Sequence, residues 1–206
     1  MNLPIELATH YNKNKHLIKQ RLKEFELVAK SDYFYELCFC ICTPQSKAKS
    51  ALLVQNKLIE LDFFNNEIDV TEILRSPENY IRFHNQKAKR LNELKKNWNE
   101  VELLINSELD NITKRNQLSK MVNGIGLKEA SHFLRNIGFK GLGILDRHIL
   151  RILVECNVYE EIPDISSPKK YFKVEEEFKL FANEVNIDLD EIDLLFWSYV
   201  NGDIVK

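Results

Sequence analysis

Glycine and proline are scarce in this chain, 6 and 5 among 206 residues. That composition excludes a collagen-like or Pro/Gly-rich disordered protein and argues against an all-β chain with many turns. Long hydrophobic runs are missing as well: no stretch approaches the ~18 consecutive apolar residues of a membrane helix. The opening Met1-Asn2-Leu3-Pro4-Ile5-Glu6 has neither the basic head nor the apolar stretch of a secretory signal. The expectation is a cytoplasmic protein without membrane association. Cysteine is sparse and poorly spaced for chemistry. Cys38, Cys40 and Cys42 lie two apart, and residues two apart on a helix point about 200° from each other, so three such thiols cannot converge on one metal. With Cys156 alone and no C-x-x-C pair, they read as reduced core cysteines. No catalytic metal and no cofactor is expected.

What the chain does have is helical periodicity nearly everywhere and strand alternation almost nowhere. Residues 15–29 place Leu17, Ile18, Leu22, Phe25 and Val28 on one stripe. Residues 32–42 are almost wholly apolar, with Asp32 as candidate N-cap, and read as a buried helix or a short strand. Further helices are expected over 46–61 (Ala48, Ala51, Leu52, Leu58 and Ile59 inward), 70–75, 79–96, 99–106 and 111–121. Ser167-Pro168 opens a long helix to about 186. Residues 188–200 form a last one, with Ile192, Leu195, Phe196 and Tyr199 on its apolar side. The fold class is all-α, about ten helices with short connections.

Charge is balanced only on average. The formal net charge is −2. Residues 113–151 nevertheless carry eight bases (Lys114, Arg115, Lys120, Lys128, Arg135, Lys140, Arg147, Arg151) against two acids, Glu129 and Asp146. Residues 152–206 carry 13 acids against 5 bases. A basic island in a neutral chain suits local phosphate binding.

Inside the island, a helix from about 111 runs into Asn123-Gly124-Ile125-Gly126, and a second helix starts at Leu127. Glycines admit positive φ and close backbone approach, and the new helix presents its free amides to an anion. Such a hairpin grips a DNA phosphate without reading sequence; the same residues also suit an ordinary helical corner. Lys128 sits in the first turn, where the macrodipole disfavours a cation. It reads either as a solvated lysine on phosphate or as an amine poised to attack carbon. Asp146 can cap a helix starting at Arg147. Beside a lysine nucleophile its carboxylate has a second use, stabilising positive charge as a glycosidic bond breaks.

Gly126-Leu127-Lys128-Glu129-Ala130-Ser131-His132-Phe133-Leu134-Arg135-Asn136, a Gly-rich link and Leu145-Asp146-Arg147-His148-Ile149-Leu150 together resemble the helix–hairpin–helix DNA glycosylase superfamily. Within it the chain is most similar to the type-2 8-oxoguanine DNA glycosylase/lyases of archaea and some bacteria. Tyr35 to Thr43 and Asp193 to Lys206 share that likeness, and the four-cysteine iron–sulfur tail of other branches is missing. The resemblance implies two helical domains flanking a cleft: 27–137 with the hairpin, and 1–26 plus 138–206. It makes Lys128 the nucleophile, Asp146 the catalytic aspartate, and damaged duplex DNA the partner of a monomer. It also implies that the target nucleotide is flipped out. Gln45 matches a polar wedge and His148 a position near the lesion phosphate, with Gly124, Gly126 and Arg147 as further DNA-binding residues. Phe83, Asp193, Trp197 and Lys206 would line the base pocket, and a monovalent cation would rest on the carbonyls of Lys120, Val122 and Ile125. His132 reads equally as pocket wall or core histidine; without the resemblance, Phe83 and Trp197 read as core. Rival functions are a related glycosylase for another lesion, a non-catalytic helical DNA-binding module, and a helical interaction protein with an incidental Gly-x-Gly turn.

Overall fold

A computed structural model describes residues 3–204. These form eleven α-helices, one short 3-10 helix and no strand. The helices are α1 (Ile5–Glu26), α2 (Tyr33–Cys42), α3 (Ala48–Glu60), α4 (Val70–Arg75), α5 (His84–Lys96), α6 (Trp98–Ile105), α7 (Asn111–Met121), α8 (Leu127–Asn136), α9 (Arg147–Glu155), α10 (Pro168–Glu184) and α11 (Leu189–Asn201). The chain divides into two compact units: Val28–Phe133, and the two stretches that flank it. The division falls inside α8, four residues before the boundary expected at 137. The last turn of α8 accounts for that shift, because Arg135 stacks on Phe25 of α1 at 4.7 Å and faces Asp193 of α11 at 3.7 Å.

The inner unit is built around α2. Every residue from Phe34 to Cys42 is buried, the pattern of a helix enclosed on all sides, and the strand alternative for 32–42 is set aside. Phe34 meets the rings of Tyr35, Phe63, Phe64 and Trp98. All four cysteines are free and buried. Asp32 precedes α2 without a side-chain capping bond, since a 3-10 turn over Lys30–Asp32 leads directly into the helix. The expected helix over 79–96 begins only at His84, because Phe83 adopts a left-handed backbone, φ 60°.

In the flanking unit α1 lies along α11. Tyr11 donates to Glu191 at 2.5 Å and Lys19 pairs with the same carboxylate at 3.2 Å. Phe178 of α10 stacks on Phe196 at 5.9 Å. α1 starts ten residues before the expected stripe and buries Leu7, Tyr11, Ile18 and Phe25. Leu17, Ile59 and Tyr199, all expected inward, are exposed. Their neighbours in register cover the core instead.

Candidate active site

α7 ends at Met121, and Val122 turns out of the helix at φ −97°, ψ 114°. Gly124 follows at φ 94°, where a Cβ would stand 2.4 Å from Cδ of Arg90. The left-handed backbone calls for glycine here, with the flexible Arg90 side chain packed close against it. Asn123 donates to Glu93 at 3.1 Å, so α5 holds the hairpin turn through Arg90 and Glu93. The Gly126 amide donates to Oε2 of Glu129 at 3.0 Å, the reciprocal half of a capping box. The other oxygen of Glu129 pairs with Lys128 Nζ at 3.1 Å. Burial alone would raise the Glu129 carboxyl, but the Lys128 charge and the Gly126 amide outweigh it and hold the group below its usual range. The Lys128 side chain is 26% exposed, so its amine is reachable from solvent.

Asp146 caps α9. Its Oδ1 accepts from the amides of His148 at 2.7 Å and Ile149 at 2.9 Å. The segment leading to it is pinned from two helices. Gly141 donates to Asp190 of α11 at 3.0 Å, and Gly143 donates to Glu175 of α10 at 2.7 Å. The Tyr171 hydroxyl donates to the Gly143 carbonyl at 2.7 Å and accepts from Leu145 at 3.4 Å. Nothing local in the sequence marks Tyr171, Glu175 or Arg90. Their role comes from partners far along the chain.

Gln45, Phe83, Gly124, Gly126, Lys128 and His132 belong to the inner unit; Asp146, Arg147, His148, Asp193 and Trp197 belong to the flanking one. Gln45 is exposed at φ 57°. Phe83 is 48% exposed, with the Arg82 guanidinium over its ring at 5.1 Å, which removes the core reading. His132 is buried edge-on to Phe39 at 5.8 Å. Asp193 is buried opposite Arg135, and Trp197 is half-buried one turn on. Arg147 is exposed and its Nε reaches Nε2 of His148 at 3.4 Å. Lys206 lies outside the described residues. The basic island shrinks in the fold. Lys114, Arg115 and Arg135 are buried and add nothing to an outward phosphate-binding surface. Among the described residues there is no group of three His, Cys, Asp or Glu able to hold a metal ion, and no helix long and apolar enough to cross a membrane.

A glycine hairpin that delivers a reachable lysine into the first turn of a helix, with a capping aspartate eighteen residues later, defines the helix–hairpin–helix glycosylase class. The family model described as 8-oxoguanine DNA glycosylase matches residues 18–187. The chain belongs to that family. It is 38% identical over 213 residues to the 8-oxoguanine DNA glycosylase/AP lyase of Fusobacterium nucleatum, covering 98% of this chain and 96% of the relative. The crystal structure of the Methanocaldococcus jannaschii 8-oxoguanine glycosylase/lyase in complex with a 15mer DNA containing 8-oxoguanine matches with a TM-score of 0.86 at 32% identity, over 98% of each chain. The 8-oxoguanine DNA glycosylase of Thermotoga maritima matches equally well, TM-score 0.86 at 32% identity over 98% of this chain and 97% of that one.

Proposed function

We propose that this chain excises 8-oxoguanine from duplex DNA and cleaves the resulting abasic site. The observation that carries the proposal is Lys128 itself: a solvent-reachable amine in the first turn of α8, directly after the Gly124–Gly126 hairpin, in a chain of this family. Its ammonium must first leave Glu129 and lose a proton. The free amine then forms a bond to C1′ of the damaged nucleotide as the bond from C1′ to the base breaks, and the base departs with a proton. Opening of the sugar ring gives an iminium. Loss of a C2′ proton then expels the 3′ phosphate by β-elimination. Asp146 offers its second carboxylate oxygen to the positive charge that develops on the sugar. The free amides at the start of α8 and the Gly124–Gly126 backbone take a phosphate, joined by Arg147 and His148. Gln45 fills the gap left by the flipped nucleotide. Phe83 stacks on the base, while Trp197 and Asp193 supply a further ring and a hydrogen-bond acceptor.

The resemblance assigns a monovalent cation to the carbonyls of Lys120, Val122 and Ile125, at and just after the end of α7, where a helix leaves acceptors without amides. The Val122 carbonyl accepts a long bond from the Ile125 amide, 3.5 Å. Neutral carbonyls of this kind fit a weakly held monovalent cation, which would add positive charge beside the phosphate. The decisive experiment for the lysine chemistry is borohydride trapping on an 8-oxoguanine duplex. The wild type gives a covalent adduct and Lys128→Gln gives none; no adduct with the wild type, or an equal one with the variant, overturns the mechanism.

A further inference from the structure

Gln45 and Phe83 share an uncommon backbone state. Both are non-glycine residues at positive φ, 57° and 60°, a conformation that residues with a Cβ rarely adopt and that persists only where surroundings enforce it. Lys87 on α5, 2% exposed, bonds to residues of both segments. Its ammonium donates to the Cys42 carbonyl at 2.8 Å, the Pro44 carbonyl at 2.7 Å and the Ser46 hydroxyl at 3.3 Å. Cys42 ends α2, so the first acceptor is a carbonyl the helix leaves open at its negative end. Pro44 and Ser46 flank Gln45. The Ser46 hydroxyl also accepts from the Arg82 amide at 3.0 Å, one residue before Phe83, and the Lys87 amide donates to the Phe83 carbonyl at 3.0 Å. The Lys87 ammonium thus holds the Gln45 loop directly and reaches the Phe83 turn through Ser46.

We propose that Lys87 is a positioning residue that locks the Gln45 loop and the Phe83 turn into one piece, so that wedge and stacking ring meet the DNA in register. The roles of wedge and ring rest on the function proposed above; the locking does not. A lysine that merely filled space would be better replaced by an apolar side chain, because a buried charge is expensive unless its donors are used. Here all three protons have acceptors, and a neutral amine could serve only two. Burial pulls Lys87 down from 10.5 to about 8. The groups facing it are Cys42 on α2, Arg90 on α5, and Lys128 and Glu129 on α8. Cys42 is itself pushed up to about 12 by burial and stays a neutral thiol. The sign of the linkage then separates local from global behaviour. Between about 8 and 10.5 the unfolded chain binds more protons at this site, so its contribution to overall stability rises with pH. The lock, by contrast, loses a donor over the same range.

Amide hydrogen exchange tests this directly. In Lys87→Met, exchange at Ser46 and Arg82 accelerates on the order of tenfold, the loss of a charge-assisted bond, while helices elsewhere in Val28–Phe133 keep their protection. Lys87→Arg, which keeps the charge, restores part of it. In the wild type, raising pH from about 7 to about 9 lowers protection at the same two amides, after correction for intrinsic rates, with no fall in melting temperature. Unchanged protection at both amides overturns the proposal, as does a loss spread evenly over the unit. Should Lys87→Met not fold, the wild-type pH series decides alone. Single-turnover excision of 8-oxoguanine falls about tenfold in Lys87→Met, while borohydride trapping on a preformed abasic site is retained. A wild type that traps on neither substrate refutes the enzymatic reading and leaves the exchange result to judge the lock.

Discussion

Asp146 combines the capping task the structure gives it with the chemical one proposed for it. Both capping bonds use Oδ1, so the cap does not consume the whole carboxylate. Asparagine caps as well as aspartate but carries no charge. Asp146→Asn is therefore expected to melt within about 0.5 kcal/mol of the wild type while excision drops at least about tenfold; Asp146→Ala should lose excision and about 1 kcal/mol of stability. Thermal melts beside single-turnover excision separate the two. Glu129 sets a pH signature of its own. Its carboxyl is held below 4.5 in the folded protein, so its contribution is fully present above that value and lost as pH falls through the lower folded one. A comparison of wild type with Glu129→Gln in denaturant should show a wild-type advantage of about 0.5–1 kcal/mol at pH 7 that vanishes in acid. At Gly124 the strain is in the backbone, since the Arg90 side chain can move aside but φ 94° cannot be shared comfortably by alanine. Gly124→Ala should lower stability by about 1 kcal/mol and weaken DNA binding, measured by melting and by fluorescence anisotropy on the same preparation.

At the scale of elements, the helices were largely legible because each carries its own 3.6-residue stripe or its own cap. Ser167-Pro168 starts α10, and Asp146 starts α9, for reasons contained within a few residues. What stayed hidden depends on distant partners. No glycine or proline announces the left-handed Phe83 that delays α5, since the bond that fixes its neighbourhood comes from Ser46. Lys87, in His84-Asn85-Gln86-Lys87-Ala88-Lys89-Arg90, looks like one more solvated base of a polar helix. Tyr171 and Glu175 look like ordinary members of α10, yet they hold the approach to Asp146 across 28 and 32 residues of chain. Tyr171→Phe removes the hydroxyl that serves Gly143 and Leu145. The expected result is a loss of about 1–2 kcal/mol by chemical denaturation, with excision reduced more than trapping on a preformed abasic site.

For the whole molecule, net charge and even the basic island overstate what an approaching phosphate meets, because three of the eight bases in 113–151 are interior. The acid surplus is likewise partly consumed inside, by Glu175, Asp190, Glu191 and Asp193. The Lys128–Asp146 spacing was legible through the family likeness it carries; which charges face outward was not, because burial is a property of the assembled core. The remaining five bases of the island predict a shallow salt dependence of duplex binding, a log–log slope no steeper than about −5, readable from anisotropy titrations at several salt concentrations. The division of the chain has a further consequence, for synthesis. Val28–Phe133 is continuous, so it can fold on the ribosome once it has emerged. Helix α1 is made before it but is completed by α11, through contacts such as Tyr11 to Glu191 that span 180 residues. Until α11 has been made, the apolar side of α1 that carries Leu7, Tyr11 and Ile18 lacks this partner. The half that carries Lys128 can thus mature early, while the half that carries Asp146 waits for α11 with an unprotected apolar stripe, the stage at which a nascent chain of this protein would most need a chaperone.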